Sequence, residues 1–408
     1  MTEERINPVF TDVVVIGAGQ AGLSSAYFLR RAGLAPGSGF VVLDGEDGAG
    51  GAWRHRWPSL RLDGVHGIHD LPGMPFRSPD PTRPAAEVVS GYFAEYEDRF
   101  GLPVLRPVPV TAVRHGPGDR LLVESPGRRW AARAVINATG TWRKPFVPYY
   151  PGVGDFRGRH LHTADYRSAE EFRGRRVIVV GGGISAIELL TEISTVAAEA
   201  TWVTRRPPEF TGREFTPEYG REVVAEVDRR VRAGLPPRSV VSVTGLTETA
   251  AIKRARDRGL LDGRLPMFSR VLPGGVVWAD GRFLAADTIL WATGFRAAID
   301  HLAPLRLREP GGGIRMDGTR VVAEPRLHLV GYGPSASTVG GSRAGRLAAR
   351  EVHALLRGEG PAGSAVRHLS QSHRDGEGPA LPAGRAAEEG AVAAFDLERE
   401  ARRLSVRG

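Results

Sequence analysis

Two short glycine-rich turns carry the chemistry that residue type and spacing can specify. The first reads Gly17-Ala-Gly19-Gln-Ala-Gly22 and the second Gly181-Gly-Gly183-Ile-Ser185-Ala186. Each follows an apolar β-branched run, DVVVI or RVIVV, and each opens a stretch with helical periodicity. A glycine in the first place permits a tight strand-to-helix turn. One in the second lets the backbone approach a pyrophosphate, and a small residue in the third lets helix and strand pack closely. The helix start then offers unpaired N–H groups and the positive end of a dipole to an anion. The pattern predicts two dinucleotide sites in one chain, and with them electron transfer between two bound dinucleotides.

The residues that end each unit's second strand separate the two sites. FVVLDGE carries Asp44, which can accept hydrogen bonds from a ribose; it falls a few residues late because of the loop APGSG. TWVTRRP offers Thr204, Arg205 and Arg206 and no acid. Guanidinium forks bind phosphate, which a carboxylate there would repel. The expected assignment is FAD in the first site and NADPH, rather than NADH, in the second.

The elements that must position these turns are legible in outline. Strands are expected at 12–16, in FVVLDGE, near 103–106, 110–115, 120–124 and 130–138, at 175–180, in TWVTRRP, at 276–292 and in RLHLVGYG. Helices are expected over 21–32, 86–100, after the second turn, in two stretches of 209–262 separated by Pro236 and Pro237, and over 338–357. Residues 48–84 are rich in Gly, Pro and Trp and read as loop. The fold class is α/β, with two Rossmann-like dinucleotide-binding domains. The FAD domain is discontinuous, 1–152 and 287–360, and the NADPH domain, 153–286, is inserted into it. Residues 361–408 read as a linker with one helix at 386–404, or as disordered.

Composition bounds the rest. A chain of 408 residues exceeds one ordinary core. There is no cysteine, so no disulfide, redox dithiol or catalytic thiolate can form. The net charge of +9 comes almost wholly from arginine, Lys144 and Lys253 being the only lysines. These arginines are scattered among acids without interleaved aromatics, so no nucleic-acid partner is expected. No apolar run is long enough for membrane insertion and the N-terminus lacks a signal segment, so a cytoplasmic location is expected. His160, His162 and the pair His66/His69 lack the company of a metal site, so no metal is expected. Oligomeric state stays open, a homodimer included.

Further motifs in order give the chain a resemblance to the class B flavin-dependent monooxygenases over about residues 10–350. GAGQAG resembles that family's FAD fingerprint, and GGAW, with Gly51 and Trp53, its segment beside the flavin. NATGTWRKP, with Gly140, and LWATGF, with Thr293 and Gly294, resemble its two hinges. GGGISA, with Gly183 and Ser185, resembles its NADPH fingerprint. HLVGYG, with Gly331, resembles its closing FAD segment, and Phe156-x-Gly158-x-x-x-His162-x-x-x-Tyr166 its signature between hinge and second fingerprint.

The resemblance implies an NADPH-reduced FAD enzyme that inserts one atom of O2 into a small organic substrate, a heteroatom compound or a ketone, through a flavin C4a-(hydro)peroxide. It marks Asp63, His162 and Tyr166 as catalytic positions, His162 as a polar anchor. Aligning LPGMPF with the family's FPxFPF puts Asp63 where flavin-containing monooxygenases usually carry asparagine. A carboxylate there repels a peroxide anion unless protonated. Two other readings therefore stay open: an NADPH-dependent flavin oxidase or reductase without oxygen transfer, and a regulatory protein that binds FAD and NADPH without turnover.

Overall fold

The computed structural model describes residues 7–62, 68–77, 80–211, 217–237 and 245–359. Asp63 and the expected helix 386–404 lie outside these residues. Two sheets organise the chain, the first mixed with a parallel core and the second parallel. The first holds β1 (Val9–Ile16), β2 (Phe40–Leu43) and β3 (Val104–Leu105). A meander of β4 (Ala112–His115) and β5 (Leu121–Ser125) leads into β6 (Arg128–Asn137). Its parallel core runs from the strand Glu324–Leu329 through β6, β1 and β2 to β3.

Alternation along these strands builds two cores, because successive side chains of a strand point to opposite faces. Val13 and Val15 of β1 pack with Leu23 and Leu29 of α1 (Gln20–Arg31), Val89 and Phe93 of α2 (Ala85–Arg99) and Val352 of the helix Thr338–Leu356. Val14 and Ile16 face the other side, among Val113, Val135, Leu302 and Leu329. All these side chains are at most 3% exposed, so each contributes roughly 1.5–3 kcal/mol of transfer free energy.

The second sheet is parallel throughout and repeats the design. Its order is Leu265–Pro266, β9 (Glu199–Thr204), β8 (Arg176–Val180), Thr288–Trp291 and β7 (Arg159–His162). Val177 and Val179 pack on Ile187 and Leu190 of α3 (Ile184–Ile193), while Ile178 and Val180 pack on Phe268 and Trp278. After β9 come α4 (Pro217–Arg232) and the helix Ala250–Asp257, on either side of Pro236 and Pro237 as the pattern predicts.

Two expectations are corrected. Residues 276–292 are not one strand. Gly275–Val277 and Phe283–Ala285 belong, with Arg270–Leu272, to a separate antiparallel sheet, because Gly281 turns the chain back with a φ of 84°. Thr288–Trp291 alone joins the main sheet, pairing with β8 and β7. The return crossing to the first sheet therefore starts after Trp291, not at residue 287.

Candidate functional site

The first glycine turn does what its spacing requires. Gly17 has φ +98, and a Cβ there would lie 2.7 Å from the Ala138 carbonyl oxygen. A Cβ on Gly22 would lie 1.9 Å from the Gly17 carbonyl oxygen, so only glycine lets α1 sit this close to β1. Above Gly19 the space is open. The turn opens onto a cleft of about 1230 Å³, whose wall includes Gly17, Gly19, Asp44, Gly51, Trp53, Gly140, Thr293, Gly294 and Gly331. The closing segment contributes Ser337, which caps the helix Thr338–Leu356 through the Gly340 N–H at 3.0 Å, and Gly341. The open turn at a helix start, with a long cleft beyond it, fits a bound dinucleotide such as FAD.

Asp44 ends β2 at the cleft wall. Arg106 donates to its Oδ2 at 2.7 Å and grips Glu97 of α2 with two further bonds of 2.5 and 2.7 Å. The carboxylate is thus oriented by a guanidinium that the sequence reading did not single out. Glu46, two residues on, pairs with His55 at 3.0 Å and Arg143 at 2.9 Å. Burial pushes its carboxyl upward, but Arg143 and His55 outweigh burial and hold it below its usual range.

The second glycine turn is built like the first. A Cβ on Gly181 would lie 2.2 Å from the Ala292 carbonyl oxygen, Gly183 faces open space, and Ala186 is fully buried against the sheet. Ser185 lies in the first turn of α3. β9 ends at Thr204, leaving Arg205 and Arg206 exposed just beyond it. These residues and Gly22 do not line the cleft at the first turn. Anion-binding geometry with two exposed cations nearby fits the second dinucleotide, NADPH.

Two crossings join the sheets, and they pair as an antiparallel ladder. Phe146 N–H donates to Gly294 O at 2.9 Å, Arg296 N–H to Lys144 O at 2.8 Å, and Ala298 N–H to Gly140 O at 2.9 Å. The Thr293 hydroxyl donates to Phe146 O, and Lys144 pairs with Asp300. A side-chain chain reinforces the ladder. His301 Nε2 bonds Asn137 Oδ1 at 2.7 Å, Asn137 Nδ2 donates to Thr139 Oγ1 at 3.0 Å, and Thr139 Oγ1 donates to Ala298 O at 2.7 Å. Burial pushes His301 down to about 4, so at neutral pH it is an uncharged donor to Asn137.

The signature segment lies against the second crossing. His162, 4% exposed, accepts the Ala164 N–H on Nδ1 at 3.1 Å and bonds Gly294 O through Nε2 at 3.0 Å. Both ring nitrogens are thus engaged, which assigns the neutral Nε2–H tautomer; burial also lowers its pKa. Its Nε2–H is donated to Gly294 O and holds the second crossing. Tyr166 is fully buried, stacked on Phe172 at 5.8 Å and edge-on to Trp57 at 6.1 Å. Burial and the neighbouring Glu192 carboxylate raise its pKa. Neither His162 nor Tyr166 lines the cleft. Gly158 does allow close approach: a Cβ would lie 2.5 Å from Asp287 O.

Trp57 shows what the signature packs against. It belongs to the segment after GGAW, on the first sheet's side, yet it lies in the core of the second. Ser59 donates to Glu192 of α3 at 2.7 Å, and Arg56 feels the charge of Glu188 on the same helix. Arg56 faces the cleft with its guanidinium carbon 4.8 Å from the Trp142 ring centroid and 5.6 Å from that of Trp53. Its Nε is buried without a hydrogen-bond partner, and no carboxylate lies within 4.0 Å among the described residues. Trp142 stacks on Phe295 at 4.9 Å and on His55 at 5.9 Å. This aromatic wall and its cation went unread in the sequence; only the clustering of tryptophans and arginines in 53–57 and 142–143 signals them.

The chain matches the pyridine nucleotide-disulphide oxidoreductase family model over residues 11–331. It is similar to indole-3-pyruvate monooxygenase YUCCA1 of Oryza sativa subsp. japonica, 26% identical over 91% of this chain and 98% of the relative. Among solved structures, a flavin-containing monooxygenase from Stenotrophomonas maltophilia is 40% identical, covering 85% of this chain and 99% of that one with a TM-score of 0.72. An open structure of cyclohexanone monooxygenase, 19% identical over 88% of each chain with a TM-score of 0.58, shares the fold.

Proposed function

We infer what this chain does from its family first: it belongs to the pyridine nucleotide-disulphide oxidoreductase family and, within that fold, to the flavin-containing monooxygenases. It is an FAD- and NADPH-dependent monooxygenase of a small-molecule substrate and O2. The disulphide chemistry of the wider family needs a dithiol, and this chain has no cysteine. No helix among the described residues is long and apolar enough to cross a membrane.

Bound FAD would supply the redox chemistry that couples NADPH and O2 to oxygenation of the substrate. The chain's residues hold and orient. The turn Gly17–Gly22 takes the FAD pyrophosphate and Asp44 its ribose, with Gly51, Trp53, Gly140 and Gly331 around the rest. Gly181, Gly183 and Ser185 take the NADPH pyrophosphate, with Arg205 and Arg206 for its 2′-phosphate. The FAD domain comprises about 1–152 and the segment after Trp291; the NADPH domain lies between. His162 acts through Gly294, fixing the crossing whose Thr293 and Phe295 line the cleft.

The substrate is a small aromatic compound carrying an acid group. The observation behind this is Arg56, a cation set between Trp53 and Trp142 on the cleft wall, whose buried Nε has no hydrogen-bond partner and which only Glu188, beyond ion-pair distance, attracts. A partly desolvated charge with no acid in direct contact is costly, and an anionic ligand would offset that cost. Flat aromatic faces beside it suit a planar ring. The name of the 26% identical relative, an indole-3-pyruvate monooxygenase, describes an enzyme of an aromatic 2-oxo acid and agrees with this reading.

The test is NADPH oxidation and product analysis with indole-3-pyruvate, phenylpyruvate, an uncharged aryl sulfide and cyclohexanone. The expected result is coupled product with the aromatic acids, and an Arg56→Ala variant whose KM for them rises at least tenfold while its KM for NADPH holds. Equal turnover of the uncharged sulfide or of cyclohexanone, unaffected by Arg56→Ala, would overturn the substrate assignment.

A further inference from the structure

The helix behind the second glycine turn sets an acid opposite the cation of the cleft wall. Ser185, Glu188 and Glu192 of α3 stand three and then four residues apart, so they share one face of the helix. Residues 56–60, from the first sheet's side, form an arm that lies on α3. Trp57 is buried in one core with Ile187 and Leu190, and Leu60 packs against the same core. Ser59 donates to Glu192 Oε1 at 2.7 Å. Glu188 stands one helical turn nearer the glycines than Glu192, and Arg56 three residues before Ser59; these two charges attract each other. Neither lies within 4.0 Å of an opposite charge among the described residues. Arg56 is thus drawn toward Glu188 without being spent on it, and its guanidinium stays beside Trp142 and Trp53 on the cleft.

Few other charges act on this pair. Arg254, from the helix Ala250–Asp257 packed on α3, attracts Glu188, and Glu192 on its own helix repels it. The remaining charges of the neighbouring elements are engaged elsewhere. Lys253 holds Asp257 at 2.9 Å and Arg256 holds Glu248 at 2.7 Å. Glu170 and Glu171, of the short helix Ala169–Phe172, hold Arg173 and Arg159, each at 2.7 Å. Arg258 donates to Thr191 O at 2.8 Å. On the cleft side, His55 stacks on Trp142 and pairs with Glu46 at 3.0 Å. An acid group arriving at Arg56 would put a second carboxylate on the cation that Glu188 attracts. Two carboxylates sharing one cation repel each other unless one takes a proton. Glu188 is the one to take it, because burial already pushes its carboxyl up to about 7 over the pull of Arg56 and Arg254.

We propose that Glu188 is a positioning residue for the substrate: its carboxylate holds Arg56 at the cleft wall and releases the cation, by taking a proton from solvent, when the substrate's acid group binds. This rests on the reading that Arg56 receives an acid group. The sign follows from linkage. Below about pH 7 the proton is already on Glu188 and the acid binds at full strength. As pH rises through that value, binding must draw the proton from solvent and weakens.

The experiment is calorimetric titration of the FAD-loaded, full-length protein with phenylpyruvate and with phenylacetone, in which a methyl group replaces the carboxylate. Wild type, Glu188→Gln and Arg56→Ala are compared from about pH 6 to about pH 8.5, in two buffers of different ionisation enthalpy so that proton uptake is read directly. In wild type, affinity for phenylpyruvate should fall about fivefold between pH 6 and pH 8, with more than about half a proton taken up per ligand at pH 8. Glu188→Gln should bind phenylpyruvate at pH 8 as wild type does at pH 6 and take up no proton. Phenylacetone should bind independently of pH in both. A wild-type affinity that does not change with pH, or a pH dependence that survives Glu188→Gln and so belongs to another group such as His55, would overturn the proposal and leave Arg56 as the acid's partner. If Glu188→Gln weakens both ligands alike at every pH, the residue only props the arm and the proposal is overturned. If Arg56→Ala binds phenylpyruvate as tightly as wild type, or if wild type binds neither ligand, the substrate reading itself falls and the proposal with it.

Discussion

Replacing Glu188 with glutamine should make the protein more stable at alkaline pH and leave it unchanged at acid pH. Glu188 sits on α3, behind the second glycine turn. Burial pushes its carboxyl up from 4.5 to about 7, against the attraction of Arg56 and Arg254 and with help from Glu192. The charges that should rescue it are therefore insufficient, and the ionised form is worse off folded than in water. The sign follows from linkage. A carboxyl whose folded pKa lies above its unfolded value stabilises fully below the unfolded value, here near 4.5, and loses that contribution as pH rises through about 7. A shift from 4.5 to about 7, at 1.36 kcal/mol per unit, is roughly 3 kcal/mol. Glutamine resembles the protonated acid in shape and carries no charge, so Glu188→Gln removes the penalty. Urea unfolding of the FAD-loaded protein without NADPH, from pH 4.5 to 8.5, reads the effect. The variant and wild type should coincide near pH 4.5 and separate to about 3 kcal/mol by pH 8 in favour of the variant. A difference that does not change with pH, or a variant that grows less stable as pH rises, would show that the Arg56–Glu188 attraction outweighs burial and would refute the reasoning.

Three further outcomes test the assembly. Gly22→Val should yield protein without bound FAD, read as loss of flavin absorbance after purification, since even a Cβ would lie 1.9 Å from a carbonyl oxygen. His162→Ala should lower kcat about tenfold with flavin content unchanged. His162→Gln, whose amide can still donate to Gly294 O, should recover most of it; equal loss in both would remove the hydrogen bond as the cause. Trp57→Ala should cost about 3–5 kcal/mol in unfolding, because a side chain 4% exposed leaves a cavity beside Tyr166.

Much of the fold was legible because its signals are local. A run of β-branched residues, a glycine turn and a 3.6-residue period lie within one short window, and β1, α1, β8 and α3 formed where those windows said. The turns' glycine spacing likewise specified its own geometry, since a missing Cβ is a property of the residue itself. The absence of cysteine closes the disulphide branch by composition alone. Strand ends near 276–292 were less legible, because whether three short runs join one sheet or two depends on which neighbours offer hydrogen bonds.

The wall of the cleft was decided by tertiary structure alone. The family signature marks Tyr166, and only the fold shows that Trp57, from a segment on the other sheet's side, packs edge-on against it in a core. Asn137 and His301 meet across 164 residues, and Arg264 reaches Thr204 across 60. Nothing in either member of such a pair announces the other. Arg56 is one among many arginines until folding buries its Nε between two tryptophans and leaves it with no carboxylate in direct contact among the described residues. By itself, the sequence determined which two cofactors the chain takes and the order of its units, because backbone turns bind pyrophosphate. What substrate faces them is a matter of side chains that only the two chain crossings bring together.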